Sequence, residues 1–179
     1  AAINVNPTST TTYTVTVTNG VNCTATATAT VTVNQLPTPA ISGNTTICNG
    51  QSTTLTASGG GTYQWSTGQT SAAINVNPTS TTTYTVTVTS AAGCSNATST
   101  TVTVNPLPNA AITGDLDICV GQSTTLTASG GGTYAWNTGA TTAAINVNPT
   151  STTTYTVTVT SGAGCTRTAN ATVVVNPLP

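Results

Sequence analysis

The segment Ala1–Thr18, AAINVNPTSTTTYTVTVT, returns unchanged at Ala72–Thr89 and at Ala143–Thr160, so the chain repeats itself with one fixed period. The cysteines keep the same step, Cys23, Cys94 and Cys165 forming one series and Cys48 and Cys119 the other. So do Trp65 and Trp136, and the Leu-Pro pairs ending at Pro37, Pro108 and Pro179. The chain therefore divides into the last part of one repeat (1–37) and two complete repeats (38–108 and 109–179). Because it opens in mid-repeat, it is expected to be a window on a longer array. Solenoid repeats run about 20–45 residues and have no core of their own. A period of 71 instead suits a small autonomous domain. A core of that size is marginal, and small secreted domains commonly add a disulfide.

The complete repeat 38–108 reads as short strands. Tyr84-Thr-Val-Thr-Val-Thr89 alternates apolar and hydroxyl residues, the period of a strand with one buried face. Tyr84, Val86 and Val88 are expected to face inward, and the β-branched threonines between them to face water. Thr101–Asn105 (TVTVN) repeats the pattern, with a turn at Ser90–Cys94. Upstream, Ser52–Ala57, Thr62–Ser66 and Ala73–Asn77 are further strands, separated by Gly59-Gly60-Gly61 and Thr67-Gly68. Edge pieces are expected around Ile41 and Ile47. Short strands, regular turns and no helix-period segment predict an all-β fold of tandem immunoglobulin-like β-sandwiches. The joints, Asn105-Pro-Leu-Pro108 and Asn34-Gln-Leu-Pro37, are proline-stiffened, so the modules are expected to form a rod.

Composition removes several classes of function. The chain has one basic residue, Arg167, two acidic ones, Asp115 and Asp117, and neither His nor Lys. Phosphate recognition depends on Lys and Arg, so no nucleic-acid partner is expected. No apolar run approaches the ~20 residues of a membrane helix, so no membrane insertion is expected either. Acid–base and nucleophilic catalysis need a titratable group near the reacting atoms, and these residues supply none. The protein is expected to be no enzyme and to use no cofactor. Fifty of the 179 residues are Thr, so hydroxyls and amides solvate the surface in place of charges.

The run Ile47-Cys48-x-Gly50, Thr54-Leu-Thr-Ala57, Tyr63-x-Trp65, Thr82–Thr89 and Gly93-Cys94 resembles the immunoglobulin-like and PKD-like repeats of giant Bacteroidetes-type surface proteins. Gliding adhesins and proteins with a secretion-sorting domain are among them. The resemblance spans the whole chain and implies an extracellular or cell-surface location. It also supports disulfides within a repeat, Cys48 with Cys94 and Cys119 with Cys165, leaving the partner of Cys23 outside these residues. Bridges between neighbouring repeats are the alternative if the two cysteines of a repeat lie at opposite poles, and free thiols are a third possibility. Without His or a close Cys pair, no metal site is expected.

Trp65 and Trp136 are read as core residues, against a reading as exposed sugar platforms. Asp115 and Asp117 are read as solvated loop residues, since the earlier repeat carries Asn44 and Thr46 there and calcium needs several carboxylates. Asn44, Asn96 and Asn170 match the N-glycosylation acceptor pattern. The leading functional reading is a structural stalk or filament, with neighbouring repeats of the same chain as its partners. Direct binding of surface glycans or cells is the second reading, and ice binding by Thr-x-Thr arrays a third. TVTVT edge strands without a Lys or Glu guard are expected to promote self-association into filaments.

Overall fold

The computed structural model describes residues 2–179, which form sixteen strands and no helix. The last part of the first repeat supplies β1 (Thr11–Thr18) and β2 (Thr24–Val31). The second supplies β3 (Ala40–Ser42), β4 (Thr46–Cys48), β5 (Thr53–Ser58), β6 (Thr62–Trp65), β7 (Ala73–Val76), β8 (Thr82–Thr89) and β9 (Ser95–Asn105). The third repeats this set as β10 (Ala111–Thr113), β11 (Asp117–Cys119), β12 (Thr124–Ser129), β13 (Thr133–Trp136), β14 (Ala144–Val147), β15 (Thr153–Thr160) and β16 (Thr166–Asn176). The chain groups into two compact units. One is Ala1–Gly43 with Thr54–Val76 and Thr83–Thr101; the other is Asn44–Thr53 with Asn77–Thr82 and Val102–Pro179.

The third repeat lies wholly within the second unit and is a two-layer sandwich. One layer has the order β10-β12-β14, the other β11-β16-β15-β13. All neighbours are antiparallel except β11, which runs parallel to the end of β16, with Asp117 opposite Val174 and Cys119 opposite Asn176. Alternation sorts the side chains as expected for strands with one wet face. Along β12, Thr124, Leu126 and Ala128 are buried while the residues between them are exposed. Along β15, Tyr155, Val157 and Val159 point inward. Between the layers, Leu126, Val157, Val159 and Val173 are fully buried around Trp136 and Ile145. The second repeat has the same strand orders, β3-β5-β7 and β4-β9-β8-β6. The chain is thus an all-β protein of immunoglobulin-like sandwich type.

Two local features differ from the sequence reading. The last long strand begins at Ser95, not Thr101, because Ser95–Thr100 has no apolar alternation to mark it yet stays in the ladder. The equivalent stretch of β16 pairs with β15 residue by residue, from Thr166 opposite Thr160 onward. The TVTVT strands are also not sheet edges in the complete repeats, since β8 and β15 each have neighbours on both sides. The edges fall to strands of three or four residues, a length that limits strand-to-strand aggregation. The expected self-association through TVTVT edges therefore lacks its edges in these two repeats.

The first hairpin shows what the second layer contributes. Its register, from Thr11 opposite Val31 to Thr18 opposite Thr24, matches that of β15 with β16. Yet Val15 and Val17 are 57% and 63% exposed, where Val157 and Val159 are fully buried. The two strands form a sheet by themselves.

Some glycines are fixed by contact as well as by dihedral, Gly132 among them. Gly132 has φ +107°, and a Cβ there would strike the backbone carbonyl of Thr160. Gly132→Ala is expected to destabilise the repeat by about 1–3 kcal/mol, read as a lower denaturant midpoint. An unchanged midpoint would show that the loop relaxes freely.

Candidate functional site: the cysteine turns

The first cysteine of each complete repeat ends a short strand and opens a tight turn. Cys48 N–H donates to Gln51 Oε1 at 3.1 Å, and Gln51 N–H donates back to the Cys48 carbonyl at 2.9 Å. Cys119 and Gln122 make the same reciprocal pair, both at 3.0 Å. Gly50 and Gly121 close these turns with φ +87° each, a left-handed conformation natural to glycine. The second cysteine follows a different turn, at the tip of the long hairpin. Ser161 N–H donates to the Cys165 carbonyl at 2.8 Å, and Gly164, at φ +79°, donates to the Ser161 carbonyl. Ser90, Gly93 and Cys94 repeat that arrangement. At Cys23 the left-handed position falls to Asn22, at φ 64°, the one non-glycine residue with positive φ among the described residues.

The structure bonds Cys48 to Cys165, 117 residues apart, with 5.6 Å between their Cα atoms. Cys23, Cys94 and Cys119 carry free thiols. This corrects the expected pairing within a repeat, and strand geometry gives the reason. Cys119 lies opposite Asn176 at the end of β16, whereas Cys165 directly precedes Thr166 at its start. An 11-residue strand rising about 3.3 Å per residue keeps the two cysteines some 30 Å apart. Disulfides need Cα atoms within about 7 Å. Cys48 lies opposite Asn105 at the end of β9 in the same way. The two cysteines of a repeat thus sit at opposite ends, and the bond formed joins one repeat to the next.

Both bonded residues belong to the second compact unit. Asn105 marks the meeting point: its carbonyl accepts from Asn49 N–H at 2.9 Å and lies 4.0 Å from Cys165 Sγ. Sequence reading did not single Asn105 out. Its one signal was position, the last strand residue before Pro106, as Asn176 is before Pro177 one period later.

The remaining candidates are scattered. Trp65 and Trp136 are buried, and each indole N–H donates to a backbone carbonyl at 2.9 Å, Ser71 for one and Thr142 for the other. Neither offers a face to a sugar. Asp115 Oδ1 accepts from Asp117 N–H at 3.1 Å, and its backbone carbonyl accepts from Thr124 Oγ1 at 2.9 Å. Asn44 does the same for Thr46 and Thr53. The turn needs an acceptor oxygen and not a charge, which explains how Asn and Asp exchange between repeats. Asp115→Asn is accordingly expected to leave the unfolding midpoint unchanged, with and without added calcium; a calcium-dependent rise in the parent chain alone would contradict this. Asn44, Asn96 and Asn170 are all exposed, and the Asn96 amide donates to the Pro37 carbonyl at 3.0 Å. An apolar groove of about 260 Å³ lies on the first hairpin, along Ile3, Tyr13, Val15 and Ala27. Its lining corresponds to the core positions Tyr155 and Val157, so the groove is an uncovered core face.

Comparison with known proteins gives a family match of the same type as this architecture. Residues 37–106 match the family described as Ig-like domain CHU_C associated. The resemblance to Bacteroidetes-type surface repeats thus has a family match over the second repeat. No curated protein matches the chain. Among solved structures, the chain is similar to an ice-binding adhesin described as helping an Antarctic bacterium reach out and bind ice, at 17% identity and a TM-score of 0.43. That alignment covers 95% of this chain and 57% of the adhesin. A 1.5-MDa bacterial ice-binding adhesin matches at 18% identity and a TM-score of 0.36, covering 93% of this chain and 74% of the other. Murine CEACAM1b matches at 10% identity and a TM-score of 0.39, covering 79% of this chain and all of the other.

Proposed function

We propose that the chain is a structural part of an extracellular bacterial stalk or filament, in which immunoglobulin-like modules are fastened end to end into a stiff rod. The observation that carries this reading is the Cys48–Cys165 bond, which ties successive repeats covalently. The bond lies between repeats and not across the core of either, so beyond the stability a crosslink confers it carries their continuity under tension. Disulfides persist outside the reducing cytosol, which supports an extracellular or cell-surface location. No helix among the described residues is long and apolar enough to cross a membrane. The proline-rich joints support stiffness, since a fixed φ narrows the conformations a hinge can sample. In this reading 38–108 and 109–179 are complete modules and 1–37 is the last part of another, with neighbouring repeats as the principal partners.

Resistance to proteolysis fits the same role. Arg167 is the only residue trypsin can use, and it lies within the β15–β16 ladder opposite Val159. Native chain is expected to survive trypsin under conditions that cut it once when unfolded; rapid native cleavage would argue against a durable rod. Direct glycan or cell binding is the other reading proposed from the sequence, and it loses its aromatic platforms with Trp65 and Trp136 buried.

Electron microscopy of the intact protein tests the rod directly. Straight particles, with lengths that rise in fixed steps with repeat number, are expected. Freely jointed or coiled particles would overturn the stiff-stalk reading.

A further inference from the structure

The bridge between Cys48 and Cys165 has a translational consequence. Its separation of 117 residues is one repeat period plus the interval from Cys48 to Cys94. The first cysteine of one repeat is therefore bonded to the second cysteine of the next. The free thiols are the same two kinds of half-site. Cys119 is a first cysteine, held by Gln122 and Gly121 as Cys48 is held by Gln51 and Gly50. Cys94 is a second cysteine, in a turn closed by Ser90 and Gly93 as the Cys165 turn is closed by Ser161 and Gly164. The bonded copy and the free one differ at the turn serine. Ser161 Oγ accepts from Cys165 N–H at 3.2 Å, while Ser90 Oγ, buried beside Cys94, has no partner.

We infer that Cys119 and Cys94 are unfilled halves of the same bridge. In an array of these repeats, every first cysteine bonds the second cysteine of the following repeat, so Cys119 reaches forward and Cys94 backward. Each bond forms by thiol–disulfide exchange with a small-molecule disulfide. One cysteine thiolate attacks the reagent and expels a thiol; the partner thiolate then attacks the mixed disulfide and expels the second. The two cysteine protons end on the two expelled thiols, and two electrons pass from the cysteines to the reagent.

The connectivity this creates differs from a row of separately stapled domains. From Cys165 the chain reaches the next first cysteine through a short stretch, the equivalent of Cys94 to Cys119. From there another bond again passes to the following repeat. Two interleaved covalent threads run through the array, each crossing two repeats by way of one such stretch and one disulfide. Fully taut, at about 3.5 Å per residue, such a thread measures about 90 Å per two repeats. The same two repeats with reduced thiols pull out to about 500 Å. Oxidation makes the array close to inextensible, so its strength no longer depends on each sandwich staying folded.

The mechanical meaning rests on the stalk reading; the pairing does not. Both are tested on the 179-residue chain and on that chain lengthened by two further copies of 109–179. Under a glutathione redox buffer, non-reducing peptide mapping is expected to link Cys48 to Cys165 in both. In the longer chain Cys119 is expected to be linked to the second cysteine of the first added copy, and alkylation of Cys119 to be lost. Cys119→Ser should remove that link and leave Cys48–Cys165 in place. Alkylation of Cys119 undiminished in the longer chain, or its linkage to Cys94 or Cys165, would overturn the inference. Single-molecule pulling of the longer chain is expected to show a roughly fivefold shorter extension per repeat between its bridges before reductant than after; equal extensions would also overturn it. Correct pairing with flexible particles in the microscope would discard the rod and keep the lacing.

Discussion

Loss of the Cys48–Cys165 bond is expected to destabilise the second compact unit by about 4–5 kcal/mol. The figure follows from the loop of 117 residues that the bond closes, because the unfolded chain recovers the conformations the crosslink denied it. Cys48→Ser, Cys165→Ser and the double variant should all fall by the same amount, since each removes the one interaction and nothing further is left for the second change to remove. Denaturant unfolding with and without reductant provides the check. A reduced chain with the midpoint of the oxidised one, or single variants whose effects add, would show that the bond contributes no stability.

Trp136→Ala is expected to cost about 3–5 kcal/mol. Trp136 is 4% exposed and packs in the cluster of Leu126, Val157, Val159 and Val173. Truncation leaves a cavity between two sheets held apart by their own ladders, so little collapse offsets it. It also removes the donor to the Thr142 carbonyl, adding an unmet acceptor. Circular dichroism melts of the variant, with Trp65 fluorescence as a separate signal from the second repeat, would resolve where the loss falls. A loss below about 1 kcal/mol would mean that the cluster repacks. The two changes act on different levels of the molecule: one on a core, the other on the continuity between cores.

The fold was largely legible in the sequence because its code is local. Alternation along Tyr84–Thr89 marked the inward face, and the glycine triplet at Gly59–Gly61 marked a break that the structure keeps. Ser95–Thr100 was illegible because a wet strand of small polar residues carries no contrast between its faces. The disulfide was illegible for another reason. Its pairing follows from which end of an 11-residue strand each cysteine meets, and that depends on a three-residue parallel contact, β11 on β16 or β4 on β9. Nothing in Thr46-Ile-Cys48 announces a parallel neighbour as distant along the chain as Thr103–Asn105. Asn44 and Asp115 were legible as solvated loop positions, yet not as turn acceptors, because the sequence shows the exchange without the hydrogen bond behind it.

The threonine ladders have a consequence for where such a protein can work. Across the paired strands, Thr12 meets Thr30 at 2.9 Å, and Thr83 meets Thr101 and Thr154 meets Thr172 at 2.8 Å, hydroxyl to hydroxyl. Elsewhere such positions often hold ion pairs, which weaken as dissolved salt screens them. Neutral hydroxyl contacts give screening nothing to act on. With three charged residues in all, the outer surface of this protein gives salt screening little to act on, so these contacts are expected to hold alike in fresh water and in brine.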